Sequence, residues 1–161
     1  MKEKIVKIIR KMSSRAVVSM ILILLLTSLY LIDYAISKAY DVEVVSITPS
    51  DNIVADGKSV VQIKVRLSFR NKYIQNHKLI AIPKGGGSFK NSKLLTDSNG
   101  EATFQYIPYL SSEFVKAKPI KLEIYDDDNS IFISVPARKT IVLDVVDSIG
   151  DANDDTNDGI F

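Results

Sequence analysis

The hydrophobic rhythm of the chain changes near Tyr40. From Ala16 to Ile32 it reads AVVSMILILLLTSLYLI, seventeen residues without a charge. As a helix at ~1.5 Å per residue this run covers about 25 Å, the short end of what a hydrocarbon core of about 30 Å requires. Beyond Tyr40 the apolar residues fall at every second position. In SVVQIKVRLSFR, Val61, Ile63, Val65, Leu67 and Phe69 alternate with Gln62, Lys64, Arg66, Ser68 and Arg70. On a strand that spacing gathers the apolar set on one face, whereas a helix would scatter it. The same rhythm predicts strands at Val42–Thr48, Lys78–Ile82, Glu101–Ile107, Ile120–Tyr125, Ile131–Val135 and Lys139–Val146, with weaker patterns at Asn52–Ala55 and Phe89–Leu95.

Between these runs lie Pro49-Ser50-Asp51-Asn52, Ala55-Asp56-Gly57-Lys58, Pro83-Lys84-Gly85-Gly86-Gly87-Ser88, Asp97-Ser98-Asn99-Gly100 and Asp126-Asp127-Asp128-Asn129-Ser130, clusters rich in turn formers. Short strands punctuated in this way, with nothing helical between residues 41 and 146, predict an all-β antiparallel sandwich preceded by one apolar helix. A chain of 161 residues accommodates one such unit with accessory segments. The expected organisation is a basic flank at 1–15, the apolar helix at 16–34, the sandwich at 41–146 and an acidic tail at 147–161.

Charge gives the helix a direction. Lys2, Lys4, Lys7, Arg10, Lys11 and Arg15 precede the apolar run against Glu3 alone, and residues 147–161 hold five aspartates and no base. The positive-inside bias then puts residues 1–15 in the cytoplasm and everything beyond Asp33 outside it, with Tyr30 and Tyr34 at the interface. Two fates fit the segment: a retained single-pass anchor in the cell membrane, or a signal peptide removed after Ala39, where Ser37 and Ala39 are the small residues a peptidase reads. The length of the apolar run favours retention, and cleavage would make the domain secreted. Ile5, Ile8, Ile9 and Met12 at helical spacing also fit a surface helix on anionic headgroups. The near balance of charge between the two ends leaves no footprint for nucleic acid.

Two sequence signatures sit in order along the sandwich. Ile47-Thr48-Pro49, Val54-Ala55-Asp56-Gly57-Lys58 and Ile63-Lys64-Val65 are followed by Thr96-Asp97-Ser98-Asn99-Gly100-Glu101-Ala102-Thr103. Together they resemble the group 1 bacterial immunoglobulin-like (Big-1) domains of the invasin and intimin type over about residues 42–146. The resemblance implies a non-enzymatic module for adhesion, protein binding or structural support at a bacterial cell surface, with Asp56-Gly57 and Asn99-Gly100 as turn residues. Envelope or surface proteins are the partners it implies, and no small-molecule substrate.

Candidate chemistry is sparse. Cysteine is absent, which removes disulfides, thiolate metal sites and cysteine nucleophiles. His77 is the single histidine and, between Asn76 and Lys78, reads as a surface loop residue. Gly85-Gly86-Gly87 lacks the Gly-Lys-Ser/Thr of a phosphate loop and reads as a flexible hairpin. Asp97 with Glu101 offers too few oxygens for calcium, which takes six to eight. Weak calcium candidates are the Asp126, Asp127 and Asp128 cluster between two strands, and Asp151, Asn153 and Asp155 in the tail at the first, third and fifth positions of a calcium loop. In the tail, Thr156 stands where that loop needs glycine and no closing glutamate follows. A secreted, calcium-responsive module is the alternative these residues define; no other cofactor is expected. Tyr109, Leu110, Phe114 and Val115 either cover the end of the sandwich or form a contact patch.

Overall fold

The computed structural model describes residues 13–128, 131–132 and 136–148. The expected amphipathic segment at 1–12, part of the expected strand at 131–135, and the tail with Asp151, Asn153 and Asp155 lie outside the described residues.

Helix α1 spans Ser14–Ser37 and is capped by the Ser13 hydroxyl, which accepts from the Ala16 N–H. At ~1.5 Å per residue its 24 residues reach about 36 Å. It is long and apolar enough to cross a membrane, with a mean hydropathy of 2.3 over its best window. Two of its polar interruptions are internally satisfied: the Thr27 hydroxyl donates to the Ile23 carbonyl at 2.8 Å and Ser28 to Leu25 at 2.7 Å. In hydrocarbon, where no water can pair them, that is how such hydroxyls are tolerated.

Among the described residues eleven strands follow: β1 Tyr40–Thr48, β2 Ile53–Ala55, β3 Val61–Phe69, β4 Lys72–Tyr73, β5 Lys78–Pro83, β6 Ser88–Phe89, β7 Lys93–Leu95, β8 Glu101–Ile107, β9 Ile120–Asp126, β10 Arg138–Leu143 and β11 Val145–Asp147. One sheet runs β1-β3-β8-β6, with β4 paired to the end of β3, and the second runs β10-β9-β5-β7. All pairings within these two sheets are antiparallel.

The core lies between the layers. Val61, Ile63, Val65 and Leu67 of β3, Phe104 and Tyr106 of β8, Leu79 of β5 and Ile120, Leu122 and Ile124 of β9 are all fully buried. Each large aliphatic contributes roughly 1.5–3 kcal/mol relative to remaining exposed. In β1 the register slips between Val44 and Ser46, leaving Val45 as the extra residue of a bulge. The bulge moves the inward face from even to odd positions, so Val42, Val44 and Ile47 all pack on the core.

Three expected strands are corrected. Ile131 and Phe132 are bends, not the start of a strand. The Phe89–Leu95 run divides: β6 pairs with β8 in the first sheet and β7 with β5 in the second. The Lys139–Val146 run breaks at Asp144, after which β11 pairs with β2 in parallel, Val145 opposite Ile53, a small departure from an otherwise antiparallel fold.

Candidate functional site

The sandwich has a lower end, where α1 joins it, and an upper end. Only Lys38 and Ala39 separate α1 from β1. The Lys38 and Ala39 N–H groups close back on the Tyr34 and Ile36 carbonyls, and the Ala39 carbonyl accepts from Arg70 at 2.9 Å. Asp33, fully buried, accepts from the backbone N–H of Ile131 at 3.0 Å and of Phe132 at 2.8 Å. The residue that ends the apolar run is therefore also a tie between the helix and the β9–β10 loop.

Beside this junction lies a fully buried carboxylate of the sandwich. Asp126, at 0% exposure, continues the inward face of Ile120, Leu122 and Ile124. Its two carboxylate oxygens lie 3.2 and 3.3 Å from His77 Nδ1, and it accepts from the Asp128 N–H at 3.0 Å. The His77 ring stacks on Tyr40 at 5.5 Å between centroids. His77 is thus half-buried and partnered rather than a free loop residue. Thr96, the hydroxyl bonded next to it, is already occupied, donating to the Ile74 carbonyl and accepting the His77 N–H. The His77–Asp126 pair ties the start of β5 to the end of β9 at this end of the core.

Burial pushes the Asp126 carboxyl above its ordinary value of 3.8, while the Asp128 N–H and then His77 pull it down. A folded carboxyl that holds its proton more tightly than the unfolded chain contributes stability at low pH and loses it as pH rises through the raised value. The stability difference between the natural chain and Asp126→Asn should therefore decline as pH climbs from 3.8. Urea titrations over a pH series measure it, and a rising difference would refute the assignment.

The other two carboxylates of the expected calcium cluster turn elsewhere. Asp127 and Asp128 pair with Lys78 Nζ at 2.9 and 3.5 Å, and Asp128 also accepts the Lys78 N–H. Among the described residues no group of three or more His, Asp or Glu converges as metal ligands do. Asp97 forms the anticipated turn, accepting from the Asn99 and Glu101 N–H groups at 2.8 and 2.9 Å with Gly100 at φ 70°. Glu101 pairs with Arg66 and Lys64 on neighbouring β3.

The upper end is built from the β2–β3 turn, the β8–β9 loop and the β2–β11 ribbon. Asp56 accepts from the Lys58 and Ser59 N–H groups and the Ser59 hydroxyl. These donors, the Ser59 hydroxyl foremost, hold its carboxyl at about 2. Asp56→Ala should thus cost stability at neutral pH, and the difference should fade as pH falls from 3.8 toward about 2. The loop is tied on both flanks: Ser111 donates to the Ala55 carbonyl, Lys118 donates to the Tyr109 hydroxyl, and Ala117 donates to Asp147. Tyr109 packs on the core, as cover, but Phe114 is 96% exposed and Leu110 64%, with Val115 beside them also exposed. The four residues that sequence grouped together therefore divide into one cover residue and three that face solvent.

The two layers and the helix define an all-β, immunoglobulin-like sandwich carried by one apolar N-terminal helix. No protein-family model and no curated relative matches the chain. Among solved structures it is similar to the D0–D1 domains of intimin, with 16% identity over 68% of this chain and 50% of that one, at a TM-score of 0.46. The C-terminal 282-residue fragment of intimin in complex with the translocated intimin receptor gives 16% identity, 62% and 32% coverage and a TM-score of 0.43. A conjugative transposon lipoprotein from Bacteroides eggerthii gives 17% identity, 65% and 95% coverage and 0.42. The chain spans half the length of the intimin D0–D1 pair. These are likenesses of arrangement only.

Proposed function

We propose that this protein is a non-enzymatic, single-pass membrane protein whose sandwich stands outside the cytoplasm and binds a protein of the cell envelope or surface through its upper end. The observation that carries the reading is Phe114, 96% exposed on a loop hydrogen-bonded along both flanks, at the end opposite the helix. A large aromatic presented by a braced loop loses little conformational freedom on binding, the circumstance in which such residues dominate an interface. Retention rather than cleavage after Ala39 is supported by Asp33 and Ser37, both buried in the folded chain within the segment that cleavage would remove. Adhesion and structural support are both forms of such binding.

The test is site-specific photo-crosslinking in intact cells. A photoreactive residue at Phe114 should yield one adduct of defined mass, absent when it is placed at exposed Thr140 on β10. Phe114→Ala should weaken binding of the recovered partner by about 2 kcal/mol, roughly 30-fold. No adduct at 114, or a tag placed after Phe161 that is reached only from the cytosol, would overturn the proposal.

A further inference from the structure

We propose that Ile131 and Phe132 form a second, shallow membrane contact beside α1; this rests on the anchor reading above. The two residues are fixed by their own backbone: both N–H groups are taken by the carboxylate of Asp33. That carboxylate sits directly after the seventeen-residue uncharged run, so it marks the depth at which the helix leaves hydrocarbon. Ser37, the last helical residue, lies four residues further out, about 6 Å at ~1.5 Å per residue. Ile131 and Phe132 thus sit level with Asp33, about one turn back along the helix from Ser37.

At that depth both residues are more exposed than covered, Ile131 at 66% exposure and Phe132 at 55%. At the same depth the helix itself exposes apolar residues, Leu31 at 57% and Ile32 at 46%. Their apolar surface is continuous in kind with the helix that the bilayer would cover, and apolar groups seated about 5–10 Å into the headgroup and acyl boundary gain by leaving water. Entering that zone normally carries a cost for unpaired backbone donors, and Asp33 has removed it for these two residues. The surrounding polar groups suit a headgroup layer: Lys38 Nζ lies over the Tyr34 ring at 5.6 Å, and Arg70 is bonded through its N–H to Ala39. Asp127 and Asp128, the acidic residues that follow β9, pair with Lys78.

The chain contains no tryptophan, so Phe132→Trp supplies a lone reporter. The full chain is reconstituted in vesicles of phosphatidylcholine and phosphatidylglycerol with acyl chains brominated near the headgroup or near the bilayer centre. Most of the Phe132→Trp emission should be lost to the shallow quencher and little to the deep one; Leu24→Trp, at mid-helix, should show the reverse. If Leu24→Trp is unquenched, the anchor reading fails and takes this proposal with it. Should Leu24→Trp be quenched while Phe132→Trp and the parallel Ile131→Trp are not, this proposal alone is overturned. Adding Asp33→Ala to Phe132→Trp should abolish the shallow quenching; quenching that survives would overturn the role of Asp33 as the pin.

Discussion

Replacing Phe104 by alanine is expected to lower the stability of the folded domain by about 3–5 kcal/mol, the range for a buried aromatic truncated in a packed core. The ring is fully buried, lies opposite Ile63 in the β3–β8 register, and meets Phe89 edge-on at 5.8 Å between centroids. It therefore lies against both neighbouring strands of its own sheet, β3 and β6, within the buried core cluster. A domain of ordinary stability holds about 5–15 kcal/mol, so the loss is a large share of the whole. Urea denaturation should show the midpoint falling with the slope unchanged. Thr103→Ala, one residue away on the solvent face, should stay within about 0.5 kcal/mol. Equal losses at 103 and 104 would mean that the alternation does not point into a common core.

What the sequence revealed and what it hid divide along a physical line. In β3 and β8 the strand rhythm is local: every second side chain is apolar, both faces are legible, and the observed boundaries of these two strands follow the pattern. The same rhythm carried one unread message. Asp126 lies two positions after Ile124 and so on the inward face, which is where it is buried against His77; grouped with Asp127 and Asp128, it read as part of a solvated acidic turn. Pairing partners far apart in the chain left no such trace. The β6–β7 segment crosses from one sheet to the other within a few residues, its Lys90 N–H bonding to Gln105 and its Ser92 carbonyl to Ala81. Periodicity sees one run there because alternation records which face is apolar, not which strand lies alongside. The parallel seating of β11 on β2 and the grip of Asp33 on the Ile131 and Phe132 N–H groups depend on the same long-range closure. The upper-end loop was open for a related reason: whether Tyr109 or Phe114 covers the core depends on which groups brace the loop, and those are the Ala55 carbonyl of β2 and the Asp147 carboxylate of β11.

Gly87→Ala is expected to cost about 3 kcal/mol or more, combining left-handed backbone strain of roughly 1–2 kcal/mol with overpacking of about 1–3 kcal/mol. A Cβ at this position would stand 2.2 Å from the Tyr106 hydroxyl oxygen and 2.5 Å from the Ile107 carbonyl, on a backbone at φ +73°. The hydroxyl cannot simply swing away. Tyr106 is fully buried and donates to the Gly86 carbonyl at 2.7 Å, and burial pushes its phenol up to about 12. The glycine run that reads in isolation as a flexible hairpin is in fact shaped around a core tyrosine. Gly85→Ala provides the contrast, because the nearest atoms to its Cβ are 3.4 Å away and its φ is ordinary; its effect should be small. In Tyr106→Phe the nearest obstacle to the new methyl is gone while the Ile107 carbonyl and the ring Cζ at 2.6 Å remain, so the Gly87→Ala cost should shrink without vanishing, and a double-mutant cycle by urea denaturation reads that coupling directly. If Gly87→Ala were as mild as Gly85→Ala, the loop would be free to move off Tyr106, and the closed upper end that presents Phe114 would lose its support.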